Sequence, residues 1–284
     1  MHDIRIVPSR DIHDAILDHY RELSFSLDLR LQDMFRRDLA IETEPGAQEI
    51  LEDMLKNAVI AEEQNIPPCQ DTGTQVFFIE IGNLVHISGD HLESVINEAV
   101  AEATEMLYLR RSIVCDPLYD RVNSGDNTPA VIHTRIVPGS EILIHMGQKG
   151  GGAENMSRLI MLKPDATPSD IIELVVETVV AAGGKSCPPI ILGIGLGGNF
   201  ESCASLAKRA LFRELGESHP LPEYARLEQE ILLRLNETGI GPQGLGGNCT
   251  ALAVHLETAP CHIASLPLAI NIQCHSHRHL SFRI

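Results

Sequence analysis

Three of the seven cysteines share a local character that could serve chemistry. Cys69 follows Pro67-Pro68 and precedes Gln-Asp-Thr-Gly, Cys187 lies between Gly183-Gly184-Lys185-Ser186 and Pro188-Pro189, and Cys274 opens the run Cys-His-Ser-His-Arg-His. Turns rich in glycine and flanked by proline let backbone N–H groups approach a sulfur, which a metal-bound thiolate requires. The three lie far apart and the chain holds no Cys-x-x-Cys, so neither a zinc ribbon nor a ferredoxin-type motif supports them. On spacing alone they fit either a metal site or structural thiols, and buried structural thiols are the simpler reading. Cys115, Cys203, Cys249 and Cys261 have no such flanks and read as buried structural thiols, Cys203 and Cys249 among small core residues.

Other features admit chemistry without deciding it. Gly193, Gly195 and Gly198 match G-x-G-x-x-G after a strand-like run, but the ribose-binding acid and wider context of a dinucleotide site are not evident, and close backbone packing fits better. Arg110-Arg111 could clamp a carboxylate through bidentate hydrogen bonds, although arginines at a helix end often serve only its dipole. The run His275-Ser276-His277-Arg278-His279 fits a metal tract, a pocket edge or a solvated terminus.

The elements that must position these residues follow from hydrophobic periodicity. Ile50, Leu51, Met54, Leu55, Ala58 and Val59 give one helical face over residues 46–65, stopped by Pro67-Pro68; Leu92, Val95, Ile96, Ala99, Val100, Ala103 and Leu107 give a second. The segment between them, QVFFIEIGNLVHIS, predicts a hairpin of two strands turning at Gly82-Asn83. A β-rich stretch surrounds Pro138-Gly139 and leads into Lys149-Gly150-Gly151-Gly152-Ala153. Thr167-Pro168 opens a helix that Gly183-Gly184 closes, in the order that caps favour. A buried strand, PPIILGIGLGG, precedes a helix near 201–215, and EYARLEQEILLRLNETG is a last strong helix before a GPQGLGGN loop and two apolar strands ending near Ile272. The alternation predicts one mixed α/β (α+β) domain over 1–284, of unusual topology and without repeats or linkers.

Composition bounds the partners. The chain has 284 residues and a formal net charge of −17, which disfavours nucleic acid and anionic membranes while permitting a local pocket for a small anion. Hydrophobic residues make up 44%, enough for a full core. The N-terminal MHDIRIVPSRDIHD shows no leader pattern, no apolar run reaches membrane length, and seven dispersed cysteines fit a reducing compartment, so a cytoplasmic protein is expected.

Four separated motifs then stand in one order: Pro-Cys69-Gln70-Asp71-Thr72-Gly73, Lys149-Gly-Gly-Gly-Ala-Glu-Asn-Met, Cys187-Pro-Pro, and Gly239-Ile-Gly-Pro-Gln-Gly-Leu-Gly-Gly-Asn248. Together they resemble the class I iron–sulfur fumarate hydratases and the related L(+)-tartrate dehydratases, from about residue 10 to the C-terminus. The resemblance implies that Cys69, Cys187 and Cys274 hold a [4Fe–4S] cluster with one iron lacking a protein ligand, open to act as a Lewis acid. It also implies that Gln70, Asp71, Arg110, Gly152 and His262 line the substrate pocket, with Asp71 in an acid/base role and Arg110 against a carboxylate.

Single-chain members of that family continue into a second domain that supplies the residue usually assigned as the proton-abstracting base. This chain stops at Ile284, so the resemblance implies an alpha subunit that works with a separate beta subunit in an α2β2 assembly. The lysine-glycine run and the Gly-Leu-Gly-Gly-Asn loop resemble the fumarate enzymes more than the tartrate enzymes, which favours reversible hydration of fumarate to (S)-malate. L(+)-tartrate dehydration is the alternative, and a non-catalytic iron–sulfur carrier is a second, though a carrier needs no carboxylate clamp.

Overall fold

The expected helices form where apolar residues recur at three- and four-residue spacing, and caps bound several of them. The structure, a computed structural model, describes residues 4–284; Met1–Asp3, part of the N-terminal segment read for a leader, lie outside the described residues. In chain order the first elements are β1 (Arg5–Pro8), α1 (Ser9–Phe25), α2 (Leu29–Ile41), α3 (Pro45–Gln64), β2 (Thr74–Gly82), β3 (Val85–Ser88) and α4 (Leu92–Met106). They are followed by β4 (Val131–Val137), β5 (Ile142–Lys149), the short α5 (Gly151–Glu154), β6 (Arg158–Leu162) and α6 (Pro168–Ala182). The remainder are β7 (Ile190–Gly197), α7 (Phe200–Ala210), α8 (Pro222–Asn236), β8 (Ala251–Ala259), β9 (Leu266–Gln273) and β10 (Arg278–Arg283). The mixed α/β class is as expected. No helix among the described residues is long and apolar enough to cross a membrane.

The chain divides into two compact units built from interleaved segments. One unit holds the residues up to Leu27, Ile60–Gly150 and Arg278–Ile284. Its four-stranded sheet has the order β10-β5-β2-β4, with β2 antiparallel to β5 and parallel to β4, and a separate two-stranded sheet pairs β1 with β3 in parallel. Ile12, Ile16 and Tyr20 of α1 and Ile96 and Val100 of α4 are buried with Phe77, Ile79, Ile142, Ile144 and Met146 in its core.

This arrangement corrects the hairpin expected at Gly82-Asn83, because β2 and β3 belong to different sheets. The turn's backbone groups are taken by more distant chain: Gly82 N–H bonds to Glu141 O, Asn83 N–H to Val137 O, and Leu84 N–H to Gly139 O. Leu84 O in turn accepts from Arg5 N–H, which starts β3 on its pairing with β1. A turn-prone pair thus redirects the chain without folding it back on itself.

The other unit holds Asp28–Val59 and Gly151–His277 around a sheet of order β6-β9-β7-β8. Thr167 caps α6 through a capping box with Asp170, as its sequence predicts. The β7 strand runs parallel to β8 through the crossover of α7 and α8, and antiparallel to β9. Every residue of β7 is buried, so both faces are packed. Ile190, Leu192, Ile194 and Leu196 join the core that α6 and α8 cover. On the other face a Cβ on Gly193 would stand 2.0 Å from Ala207 O, and one on Gly195 2.2 Å from Cys203 O. The glycines of the G-x-G-x-x-G match therefore let α7 lie directly on the strand. The first N–H groups of that helix are occupied too, since Asn199 Oδ1 accepts from Glu201 N and Ser202 N.

Gly193→Ala is expected to cost about 2–3 kcal/mol through forced separation of α7 from β7. Gly46→Ala in α3, where nothing lies within 4 Å of the added carbon, should change stability by less than about 1 kcal/mol. Urea unfolding followed by circular dichroism checks the pair; equal midpoints would contradict the close packing.

Candidate functional site

In the first unit the chemistry gathers around the Cys69–Gly73 loop. The helix α3 ends at Gln64 before Pro67-Pro68, and the loop then turns into β2. At Gly73, with φ +73°, an added Cβ would stand 2.3 Å from Lys149 O, so this loop rests directly on the backbone where β5 ends. Two of the four sequence motifs, Pro-Cys-Gln-Asp-Thr-Gly and the start of Lys-Gly-Gly-Gly, are brought together by that contact. Asp71 N–H points at Cys69 Sγ at 3.5 Å, and the Cys69 thiol faces Gln70 Oε1 at 3.6 Å.

Asp71 itself is held on several sides. Its Oδ1 accepts from Gly73 N at 3.0 Å and from Ser112 Oγ at 3.4 Å, and its carbonyl accepts from Arg278 Nη2 at 2.6 Å. Gly150 abuts the carboxyl, since a Cβ there would lie 3.3 Å from Asp71 Oδ2. Arg278 is only 3% exposed, so a buried cation fixes the backbone of a carboxylate-bearing loop. The Arg110 side chain is exposed, two residues from the Ser112 that touches Asp71. Sequence reasoning missed Ser112 and left Arg278 undecided within a histidine-rich tail; only contacts between distant segments show their placement.

In the second unit the other two motifs meet. Cys187 leaves the 3-10 turn Gly183–Ser186 in a left-handed conformation, φ +53° and ψ +62°. Its carbonyl accepts from His275 N at 3.3 Å and lies 3.0 Å from His275 Nδ1, so Cys187 and Cys274 belong to adjoining loops. Gln243 of the GPQGLGGN loop donates to Pro188 O from its backbone N at 2.7 Å and from Nε2 at 3.0 Å. Gly152 faces Lys185 O, 3.5 Å from where its Cβ would be. The Gly-Leu-Gly-Gly-Asn end is tied down by the buried Glu42, whose carboxylate accepts from Thr43 N, Glu44 N, Asn248 N and Asn248 Nδ2. Burial pushes that carboxyl up, and the backbone N–H groups of Glu44, Asn248, Thr43 and Cys249 outweigh it to hold Glu42 below the usual glutamate range.

His262 is placed apart from these residues. It lies exposed in the β8–β9 loop, accepting from Ala264 N at 3.1 Å, at the opposite end of β9 from Cys274. The eight residues of β9 alone span about 27 Å. A concave surface lined by Glu80, Val137, Glu141 and Arg283 lies at the other end of β5 from Gly150 and includes no motif residue.

The cysteines sort into three environments, and the expectation of buried structural thiols holds for Cys203 and Cys249 but not for Cys115 and Cys261, which lie in exposed loops outside either core. Cys69, Cys187 and Cys274 are half-buried, Cys203 and Cys249 are buried, and Cys115 and Cys261 are exposed. Among the described residues no three His, Cys, Asp or Glu side chains group around a single-ion position. Thiolates of an iron–sulfur cluster bind separate irons, so the donor chemistry is the relevant comparison. Each unit by itself offers donors of that kind: in the first the Cys69 sulfur faces a backbone N–H, and in the second Cys187 and Cys274 stand half-buried in adjoining loops, with the buried Ser276 Oγ, two residues past Cys274, lacking a hydrogen-bond partner among the described residues.

A family model described as fumarate hydratase (Fumerase) matches residues 13–283. The chain belongs to this family. It is 40% identical over 279 residues to the putative L(+)-tartrate dehydratase subunit alpha of Methanocaldococcus jannaschii, covering 96% of this chain and 97% of that protein. It is 34% identical over 247 residues to the L(+)-tartrate dehydratase subunit alpha of Escherichia coli strain UTI89, covering 86% and 80%. The same figure, 34% over 241 residues, relates it to the protein of that name in Shigella sonnei, covering 84% and 78%. Membership makes the chain part of a hydro-lyase family.

Thiol reactivity checks the environments. Burial pushes the Cys203 thiol up to about 11 and, with Asp38 beside it, raises Cys249 further, so at pH 8 both remain protonated. Iodoacetamide at that pH should label Cys115 and Cys261 first and reach Cys203 and Cys249 only after unfolding, as read by peptide mass spectrometry. Early labelling of either buried thiol would contradict the packing.

Proposed function

We propose that this chain is the alpha subunit of an iron–sulfur hydro-lyase that interconverts (S)-malate and fumarate together with a separate beta subunit, as an α2β2 assembly. The observation that supports it most is the fixed Asp71 carboxylate between the Cys69 loop and the Arg110–Ser112 segment, in a member of the fumarate hydratase family. Cys69, Cys187 and Cys274 hold the [4Fe–4S] cluster. When bound, it supplies a Lewis-acidic iron, left without a thiolate, that makes hydroxide a tolerable leaving group.

The protein's own residues do the rest. Arg110 pairs with one substrate carboxylate through its planar guanidinium, and Gln70 and the Gly152 backbone orient the remaining polar groups. Dehydration breaks the C3–H and C2–O bonds, sending the proton to a base and the hydroxyl out as water after it is protonated. Asp71 cannot swing freely, because Gly73 N and Ser112 Oγ hold its Oδ1, so it offers Oδ2 for proton exchange in one orientation. The base that takes the C3 proton is supplied by the beta subunit. His262, far from Cys274 along β9, contributes to the pocket only if its loop serves a neighbouring subunit's site.

L(+)-tartrate is the second reading, favoured by the names of the alpha-subunit relatives. The two substrates differ by one hydroxyl, and a site that hydrogen-bonds a hydroxyl discriminates strongly against its absence. The lysine-glycine run and Gly-Leu-Gly-Gly-Asn loop favour malate. A bare cluster carrier would make no use of a held carboxylate beside an exposed arginine.

Anaerobic reconstitution of the alpha and beta subunits with iron and sulfide, followed by EPR of the reduced enzyme, tests this reading. The expected result is a [4Fe–4S] signal that shifts with malate and is lost in Cys69→Ser, Cys187→Ser and Cys274→Ser. A shift with tartrate alone assigns the second substrate, and absence of any cluster overturns the reading.

A further inference from the structure

Asn127 is fully buried and stands in a left-handed conformation, φ +63°, that asparagine tolerates better than most residues. Its side-chain amide is directed at the Arg110–Ser112 segment from both ends. Asn127 Oδ1 accepts from Ser112 N at 2.6 Å, while Nδ2 donates to Arg110 O at 3.0 Å and to the buried Thr104 Oγ1 at 3.3 Å. Thr104 belongs to α4, whose inner face is locked in the unit's core. A rigid helix therefore reaches Arg110 through one buried amide.

We infer that Asn127 is the positioning residue that aims Arg110 at the substrate carboxylate and keeps Ser112 against Asp71; this rests on the role proposed for Arg110. The physical need is specific. Arg110 is exposed and follows Tyr108, itself left-handed at φ +51°, so the segment leaves α4 irregularly and has no helix or strand ladder to fix it. A bidentate clamp works only when its backbone origin is fixed, because a displaced fork loses both bonds to a planar carboxylate together. The Asn127 amide supplies the donor and the acceptor that this stretch of backbone would otherwise obtain from secondary structure. A structural amide of this kind lowers stability when removed; a positioning amide also weakens substrate binding through Arg110 alone.

The test is a double-mutant cycle in the reconstituted holoenzyme. Asn127→Gly accepts the left-handed backbone but removes both anchors, and it should raise the KM for malate about tenfold, the effect of losing a buried hydrogen bond on a clamp. The turnover number should stay within about twofold, and iron content and the EPR signal should match wild type. Arg110→Met should raise KM as well, and adding Asn127→Gly to it should raise KM no further. If Asn127→Gly does not fold, Asn127→Asp keeps the Ser112 acceptor, places an oxygen against Arg110 O, and should give the same KM increase. An unchanged KM in the folded variant, or losses that multiply in the double variant, overturns the inference. Failure of the underlying reading looks different: Arg110→Met would then leave KM at the wild-type value.

Discussion

The hydrogen bond from the buried Arg278 guanidinium to the Asp71 carbonyl is the contact on which the candidate chemistry of the first unit depends. A hydrogen bond from a charged donor is worth about 1.5–3 kcal/mol, several times a typical surface contact. Its position matters as much as its strength. Asp71 lies two residues after Cys69 in sequence, so the bond restrains the loop that carries this candidate ligand. Once the loop's backbone is fixed there, Gly73 N and Ser112 Oγ have a stationary carboxylate to hold. Losing the arginine would remove a charged donor from the loop's backbone and loosen its hold on Asp71.

Burial then separates the seven thiols into groups with different chemistry. Cys203 packs beside Ala207 and Ala269 where α7 lies close to its sheet, and Cys249 donates to Asp38 Oδ2 at 2.5 Å; both are locked as neutral thiols by a lack of water. Burial also raises the Asp38 carboxyl, and the hydrogen bond from the Cys249 thiol partly offsets that rise. Cys69, Cys187 and Cys274 instead end loops where backbone can turn toward sulfur. The same residue type thus fills a core or stands half-buried in a loop according to what surrounds it.

Much of this was legible in the residues. Helices α3, α4, α6 and α8 follow from periodicity and caps because those signals are local. Sheet order is not local: Gly82-Asn83 has turn chemistry, but distant strands and the β4–β5 connection claim its hydrogen bonds. Cys69, Cys187 and Cys274 were set apart by their place at element boundaries, and all three are half-buried. Asn127, Ser112 and Arg278 were not, since each acts across long stretches of chain with no spacing to reveal it. Asn127 sits in Gly-Asp-Asn-Thr-Pro, which reads as an ordinary turn, and its importance comes only from what its amide reaches. His262 shows the converse, a residue matched by resemblance whose place in the β8–β9 loop sets it apart from Cys274.

Electrostatics constrain any dicarboxylate reading further. A dianion approaching a chain of net charge −17 meets repulsion at long range, yet that field is screened beyond about 8 Å at physiological ionic strength. What decides binding is therefore the charge within one screening length of the site. Arg110 and Arg111 are exposed at the edge of the Asp71 network, and Arg278 lies buried beneath it. The exposed pair can meet a carboxylate, while the buried cation serves the backbone. A strongly acidic chain can thus still present a cationic edge suited to a small anion, provided the segment carrying the exposed arginines is held rigid. The buried amide of Asn127 meets that condition, so the overall charge and the local chemistry of this fold are compatible.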